Sequence, residues 1–198
     1  MNDPITQFVL DFQDDVKILG EDFHKNQKRK DGSSYHYHLI RTAMNGKEIA
    51  GLEGVPYDLK LTRALLYHDA AEDNPKVTWE VLTKILGPEA VEWIKPVTKI
   101  HPPNWHNFSP LERSKWTARH YAALAQAPIQ SRIIKISDRI DNLNDLKNGD
   151  AGFQRHYLVD TLMLITALQG SIKPGTMEYF EGIFWDAVEG NFNLLKGG

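Results

Sequence analysis

The chain contains no cysteine. That absence removes disulfides, thiol nucleophiles and zinc-thiolate sites together, so any metal must be held by His, Asp, Glu or backbone oxygen. No apolar run approaches the roughly 20 residues that span a bilayer, and no membrane partner is expected. The opening stretch MNDPITQFVLDFQDD carries acids where a secretory signal needs positive charge, which predicts a cytoplasmic location. An excess of basic residues is also missing: 23 Lys and Arg face 26 Asp and Glu, for a net charge of -3, and nucleic acid is excluded as an expected partner. Alternating apolar and polar runs bounded by hairpin turns do not occur, nor does a fixed-period repeat.

What remains is helical patterning in a soluble composition, 41% hydrophobic and 25% charged over 198 residues. In IIKISDRIDNLNDL, Ile133, Ile136, Ile140 and Leu143 recur at steps of three and four and form one buried stripe. Ser109-Pro110-Leu111-Glu112 reads as a capping box with proline at the first helical position, and Gly87-Pro88 as the end of one helix and the start of the next. Gly149 reads as the end of the helix that carries Asp138. The expectation is an all-α, single compact domain over 1–198, a bundle of about 8–10 helices. Helices are predicted at roughly 5–23, 36–48, 58–72, 78–86, 88–96, 110–126, 129–147, 151–170 and 175–189. Three connections stand out at 24–35, 46–58 and 101–109, and loops of this length are often functional.

Three segments carry chemistry-bearing residues. In LYHDAAEDN, His68 and Glu72 are four apart, as are Asp69 and Asp73, which concentrates acidity on one side of a predicted helix. By itself a solvated, capped helix end explains that segment more simply. On the helix at 129–147, Lys135, Asp138, Asn142 and Asp145 line a face opposite the isoleucines. Apolar residues at 133, 134 and 136 imply that this helix is buried over most of its circumference, so Asp138 needs a partner, for which a cation is one candidate. In RKDGSSYHYHLI, His36 and His38 begin an apolar helix, a common place for a histidine that merely packs or caps. Jointly, His38, His68, Asp69 and Asp138 form a two-His, two-Asp set suited to one divalent ion with open positions; manganese, iron and zinc all suit such ligands.

At this point the residues carry a family resemblance. The order His, then His-Asp, then a distant Asp resembles the HD phosphohydrolase superfamily. HKNQKRKDGSSYHYHL, LLYHDAAED, ILGPEAVEWIKPVTK and IIKISDRIDNL resemble the corresponding motifs of its RelA/SpoT-type guanosine tetraphosphate (alarmone) hydrolases, over about residues 20 to 170. The resemblance implies that His38, His68, Asp69 and Asp138 hold one metal, manganese first, and that Glu72 and Asp73 orient water or move its proton. It implies that Arg29 and Lys30 embrace a guanine base, and that Tyr35 and Asn142 lie at the nucleotide sugar and phosphate. Hydrolysis of the 3′-pyrophosphate of guanosine tetra- or pentaphosphate to GDP or GTP is the implied activity, without synthesis. Departures bear on substrate choice: Ser34 and Leu39 replace prolines, Asp31 a small residue near the base pocket, and Asp141 and Asp145 a His and a Thr. An HD phosphohydrolase for another nucleotide, and a non-catalytic nucleotide-binding module, are the alternatives. His101, Trp105 and His106 are read as an ordered proline loop packing its own tryptophan in preference to a lid. The aromatics Tyr179, Phe180, Phe184 and Trp185 are read as core or subunit contact, compatible with a homo-oligomer.

Overall fold

The computed structural model describes residues 3–191; residues 1, 2 and 192–198 lie outside it. The described chain is all-α, with helices α1 (Pro4–Asp11), α2 (Gln13–Ile18), α3 (His36–Glu53), α4 (Leu59–Leu66), α5 (Ala70–Asp73), α6 (Trp79–Leu86), α7 (Pro88–Ile94), α8 (Pro110–Ala125), α9 (Ile129–Asn144), α10 (Ala151–Leu168) and α11 (Pro174–Gly190). The one β-type pairing among the described residues is an isolated bridge between Lys28 and Ser34. No described helix is long and apolar enough to cross a membrane.

At the core, α3 lies along α9, flanked by α4, α7 and α11. Helix α9 is buried nearly all round: Ile133, Ile134, Ile136 and Ile140 fill the apolar side, and Lys135, Asp138, Arg139 and Asp141 are buried with them. Local signals set several boundaries as expected. Ser109 and Glu112 form a reciprocal capping box with Pro110 in the first turn, and Gly87 (φ +82) separates α6 from α7. The N-terminal segment is clamped from within, because buried Asp15 accepts from Arg63 Nε and Nη2, both at 3.0 Å, and from the Tyr67 hydroxyl at 2.9 Å.

Besides the helix expected at 5–23, which divides at Phe12 into α1 and α2, three expected boundaries are corrected. The connector expected at 46–58 is mostly helix, since α3 runs on to Glu53 and stops at Gly54, whose φ of +68 is the left-handed conformation suited to glycine. Gly46 does not end α3; it gives α4 room to approach. A Cβ there would stand 2.3 Å from Leu65 Cδ1, and Leu65 is fully buried. Overpacking of this kind costs roughly 1–3 kcal/mol, against about 1 kcal/mol of helix propensity gained. Gly46→Ala should therefore lower the thermal midpoint by about 2–4 °C; an unchanged or higher midpoint in calorimetry would count against this packing. Second, the helix expected at 58–72 divides at Tyr67–Asp69. Third, α9 ends at Asn144 and a short 3-10 turn, Leu146–Asn148, lies between it and Gly149.

Candidate metal centre

The division at Tyr67–Asp69 builds one wall of the site. Successive residues of a continuous helix point about 100° apart, so neighbours in sequence cannot easily face one ion. Here the chain leaves the helix after Leu66 and re-enters it with Asp69 as the N-cap of α5. His68 Nδ1 turns back onto the Leu65 carbonyl at 2.8 Å, leaving Nε2 3.1 Å from Asp69 Oδ2. From α3, His38 Nε2 stands 3.4 Å from Asp69 Oδ2 and 3.5 Å from Asp138 Oδ1, and His68 Nε2 is 3.6 Å from that same Asp138 oxygen.

The four ligand atoms lie within 4.8 Å of one another. A cation about 2.1 Å from each would place them roughly 3.0 Å apart at a right angle and 3.4 Å apart at a tetrahedral one, close to the His–Asp spacings of 3.1, 3.4, 3.5 and 3.6 Å. Both Nε2 atoms are buried with no hydrogen-bond partner. Two orphaned imidazole nitrogens aimed at two carboxylates are what a divalent metal would satisfy, so the residues fit such an ion. The supporting contacts hold the carboxylates in place. Asp69 Oδ2 accepts from the Tyr35 hydroxyl at 2.7 Å; Asp138 Oδ1 accepts from Asn142 Nδ2 at 2.5 Å, and its Oδ2 from Lys135 Nζ at 2.8 Å.

The electrostatics follow from this crowding. Burial acts to raise Asp138, but the Lys135 ammonium and His68 outweigh it and hold the carboxyl far below its ordinary range. Glu72 behaves oppositely: burial raises it, Lys135 opposes, and Asp69 and Asp138 add repulsion. Its Oε2 accepts from the Lys99 backbone N–H at 2.8 Å. Asp73 is also raised, by burial and then by the Asp69 charge, and accepts from Gln27 Nε2 at 2.9 Å. The two carboxylates thus flank the cluster from different sides: Glu72 faces the segment after α7, and Asp73 the 24–35 loop.

That loop is a tight turn. Arg29 N–H donates to the Ser33 carbonyl at 2.9 Å, Gly32 (φ +84) turns the corner, and Asp31 accepts from Ser33 N–H at 2.8 Å. Asp31 is spent on the turn and does not line the neighbouring cleft. Lys28, Arg29, Lys30, Tyr35, Asn142 and Asp145 do, around a volume of about 120 Å³. All four residues expected at the substrate therefore share one cleft. Arg29 is pinned edge-on: Nη1 donates to Asn142 Oδ1 at 2.8 Å and Nε to Asp145 Oδ2 at 3.1 Å, with Nη2 in an ion pair 2.8 Å from the same Asp145 oxygen. The Lys30 ammonium rests on the Phe153 ring.

Sequence reasoning assigned no role to a second set of buried groups beyond Glu72. Arg139 Nη2 donates to Tyr121 Oη and Asp160 Oδ2, each at 2.7 Å, and Lys99 Nζ donates to Tyr121 Oη at 3.0 Å. Burial, with repulsion from Lys135, pushes Lys99 down to about 8. Only the lysine ending the VTK stretch hinted at this wall, because its partners come from α8, α9 and α10. The 101–109 loop packs its own tryptophan: Trp105 stacks on His101 at 4.2 Å and meets Trp116 of α8 at 5.2 Å. In α11, Phe180 and Phe184 enter the core while Tyr179 and Trp185 stay exposed.

The HD domain family model matches residues 18–165. The guanosine-3′,5′-bis(diphosphate) 3′-pyrophosphohydrolase of Drosophila melanogaster is 27% identical over 124 residues, 63% of each chain. A Mycoplasma pneumoniae protein named "Probable guanosine-3′,5′-bis(diphosphate) 3′-pyrophosphohydrolase" is 28% identical over 155 residues, 76% of this chain. The chain thus spans 63% of the length of the first relative and 20% of the second. A solved structure titled "A metazoan ortholog of SpoT hydrolyzes ppGpp and plays a role in starvation responses" superposes with a TM-score of 0.66 at 22% identity, covering 94% of this chain and 98% of that one. At that identity the match speaks for the fold alone.

Proposed function

The chain belongs to the HD domain family, and from that premise we propose that it hydrolyses the 3′-pyrophosphate of guanosine tetra- or pentaphosphate, releasing pyrophosphate and GDP or GTP. One observation carries the reading: the cleft and the metal cluster are joined by the residues they share. Tyr35 and Asn142 line the cleft and also hydrogen-bond to Asp69 and Asp138. A nucleotide seated in the cleft would thus be placed against the cluster, and positioning is a large part of what phosphoryl transfer needs.

In this reading His38, His68, Asp69 and Asp138 hold one divalent ion, manganese by preference. Such an ion supplies Lewis acidity that makes water easier to deprotonate and draws charge from a phosphoryl oxygen. Glu72, raised by burial, accepts the proton of the attacking water. Asp73, also raised and facing the loop side, is placed to return a proton to the departing 3′ oxygen. The in-plane hydrogen bonds of Arg29 leave its guanidinium face for stacking on the base. Lys99, Lys135 and Arg139 provide positive charge on the Glu72 side, for the negative charge of the diphosphate as it passes from the 3′ oxygen to water.

The manganese-loaded chain, incubated with guanosine tetraphosphate, should release pyrophosphate and GDP in equal amounts, read by anion-exchange chromatography. Orthophosphate release from a different nucleotide in the same panel would replace this substrate assignment. Tight nucleotide binding without turnover would replace the enzyme reading with a binding module.

A further inference from the structure

Resting on the metal centre proposed above, we infer that Asp141 is a positioning residue for His38, fixing the ring's tautomer and orientation so that Nε2 is the atom offered to the cation. Asp141 lies one helical turn beyond Asp138 on α9, is 2% exposed, and places Oδ2 2.7 Å from His38 Nδ1. Arg41, one turn beyond His38 on α3, grips the same carboxylate: Nε donates to Oδ1 at 2.6 Å and Nη2 to Oδ2 at 3.1 Å. Two parallel pairs, His38 with Arg41 and Asp138 with Asp141, therefore face each other across the α3–α9 contact.

The inference is a matter of donor and acceptor counting. A neutral imidazole has one N–H and one lone pair, and an ionised carboxylate only accepts. With Oδ2 of Asp141 at Nδ1, the proton sits on Nδ1 and the lone pair on Nε2, the buried atom that has no hydrogen-bond partner and faces Asp69 and Asp138. The Arg41 ion pair keeps the carboxylate in its accepting form and holds its plane.

His68 shows why His38 needs outside help. His68 sets its own tautomer by giving Nδ1–H to the Leu65 carbonyl of its own helix at 2.8 Å. His38 stands in the first turn of α3, where the carbonyl three residues back, that of Tyr35, already accepts the His38 backbone N–H at 2.9 Å. The side chain's partner comes instead from another element, α9.

The test uses the full chain and its Asp141→Asn variant, because asparagine keeps the shape but can turn its NH2 toward Nδ1 and favour the wrong tautomer. Manganese(II) affinity is measured by calorimetric titration, and the His38 tautomer by nitrogen-15 NMR of the metal-free protein. Loss of a partner that orients a metal ligand typically costs 10–100-fold in affinity. A weakening of at least tenfold, a shift of His38 toward the Nε2–H form and partial recovery in Asp141→Glu support the inference. Affinity changed less than tenfold overturns it, including where only thermal stability falls. If the variant does not fold, the wild-type spectrum decides: an Nε2–H His38 overturns the inference, an Nδ1–H His38 upholds it. A wild-type chain that binds none of manganese(II), iron(II) or zinc(II) overturns the metal centre, and the role of Asp141 with it; wild-type binding matched by the variant overturns the role of Asp141 alone.

Discussion

Asp138→Asn should abolish high-affinity manganese binding and bring turnover to background, while lowering the thermal midpoint of the metal-free chain by roughly 10 °C. Asp138 serves two partners at once, offering Oδ1 to the ligand cluster and Oδ2 to Lys135. The side chains of this ion pair are 11% and 7% exposed, so the neutral amide leaves a buried ammonium without its counter-charge. Breaking such a pair costs about 3–5 kcal/mol, and each kcal/mol shifts the midpoint of a chain this size by about 2–4 °C.

The two losses can be separated. Lys135→Met added to Asp138→Asn removes the stranded charge, and replacing both members of a buried pair is often near neutral for stability. The double variant should recover most of the midpoint in calorimetry and remain metal-free and inactive. Recovered metal binding and turnover would show that Asp138 matters only as the counter-charge of Lys135, and its place among the ligands would be lost.

Glu72→Gln should keep manganese affinity within a few-fold of wild type and lower kcat by about 10²–10⁴, the usual contribution of a positioned acid or base. The substitution is gentle on the fold, because a glutamine oxygen can still accept the Lys99 backbone N–H that Glu72 accepts at 2.8 Å. The pH profile gives a second readout. Burial, with repulsion from Asp69 and Asp138, raises Glu72 despite Lys135, so the base form disappears as pH falls through a value above the ordinary glutamate range. The acid limb of wild-type kcat/KM should lie correspondingly high, and the variant should lose that contribution.

Stability runs in the opposite sense. A carboxyl with a raised folded pKa favours the native state when protonated, so Glu72 contributes stability at acid pH that is lost as pH rises through that value. The glutamine variant should show a correspondingly smaller loss of stability between acid and neutral pH in the metal-free protein. A Glu72→Gln chain with wild-type kcat sinks the assignment of Glu72 as the base.

Features that depend on a few neighbouring residues were readable in the chain. The Ser109–Glu112 box, the Gly87-Pro88 junction and the isoleucine spacing of α9 act within four residues, and each predicted element formed. Boundaries failed where a distant element intervened. The connection expected at 46–58 shrank because α3 continues to Glu53 and packs on α4 through Gly46, whose close approach to Leu65 no local signal shows.

For the site, the sequence by itself marked the candidate ligand types, through the lack of cysteine and the spaced His, His-Asp and Asp, and it marked the basic loop beside them. Tertiary structure alone decided how they meet. It opened the helix at Tyr67–Asp69 so that adjacent residues face one point, and joined cleft to cluster through Tyr35 and Asn142. It also turned Asp141 from an odd residue on a helix into the partner of His38. The reason is range: caps and periodicity act within a turn or two of helix, whereas a hydrogen bond between residues 38 and 141 exists only after α3 has packed on α9.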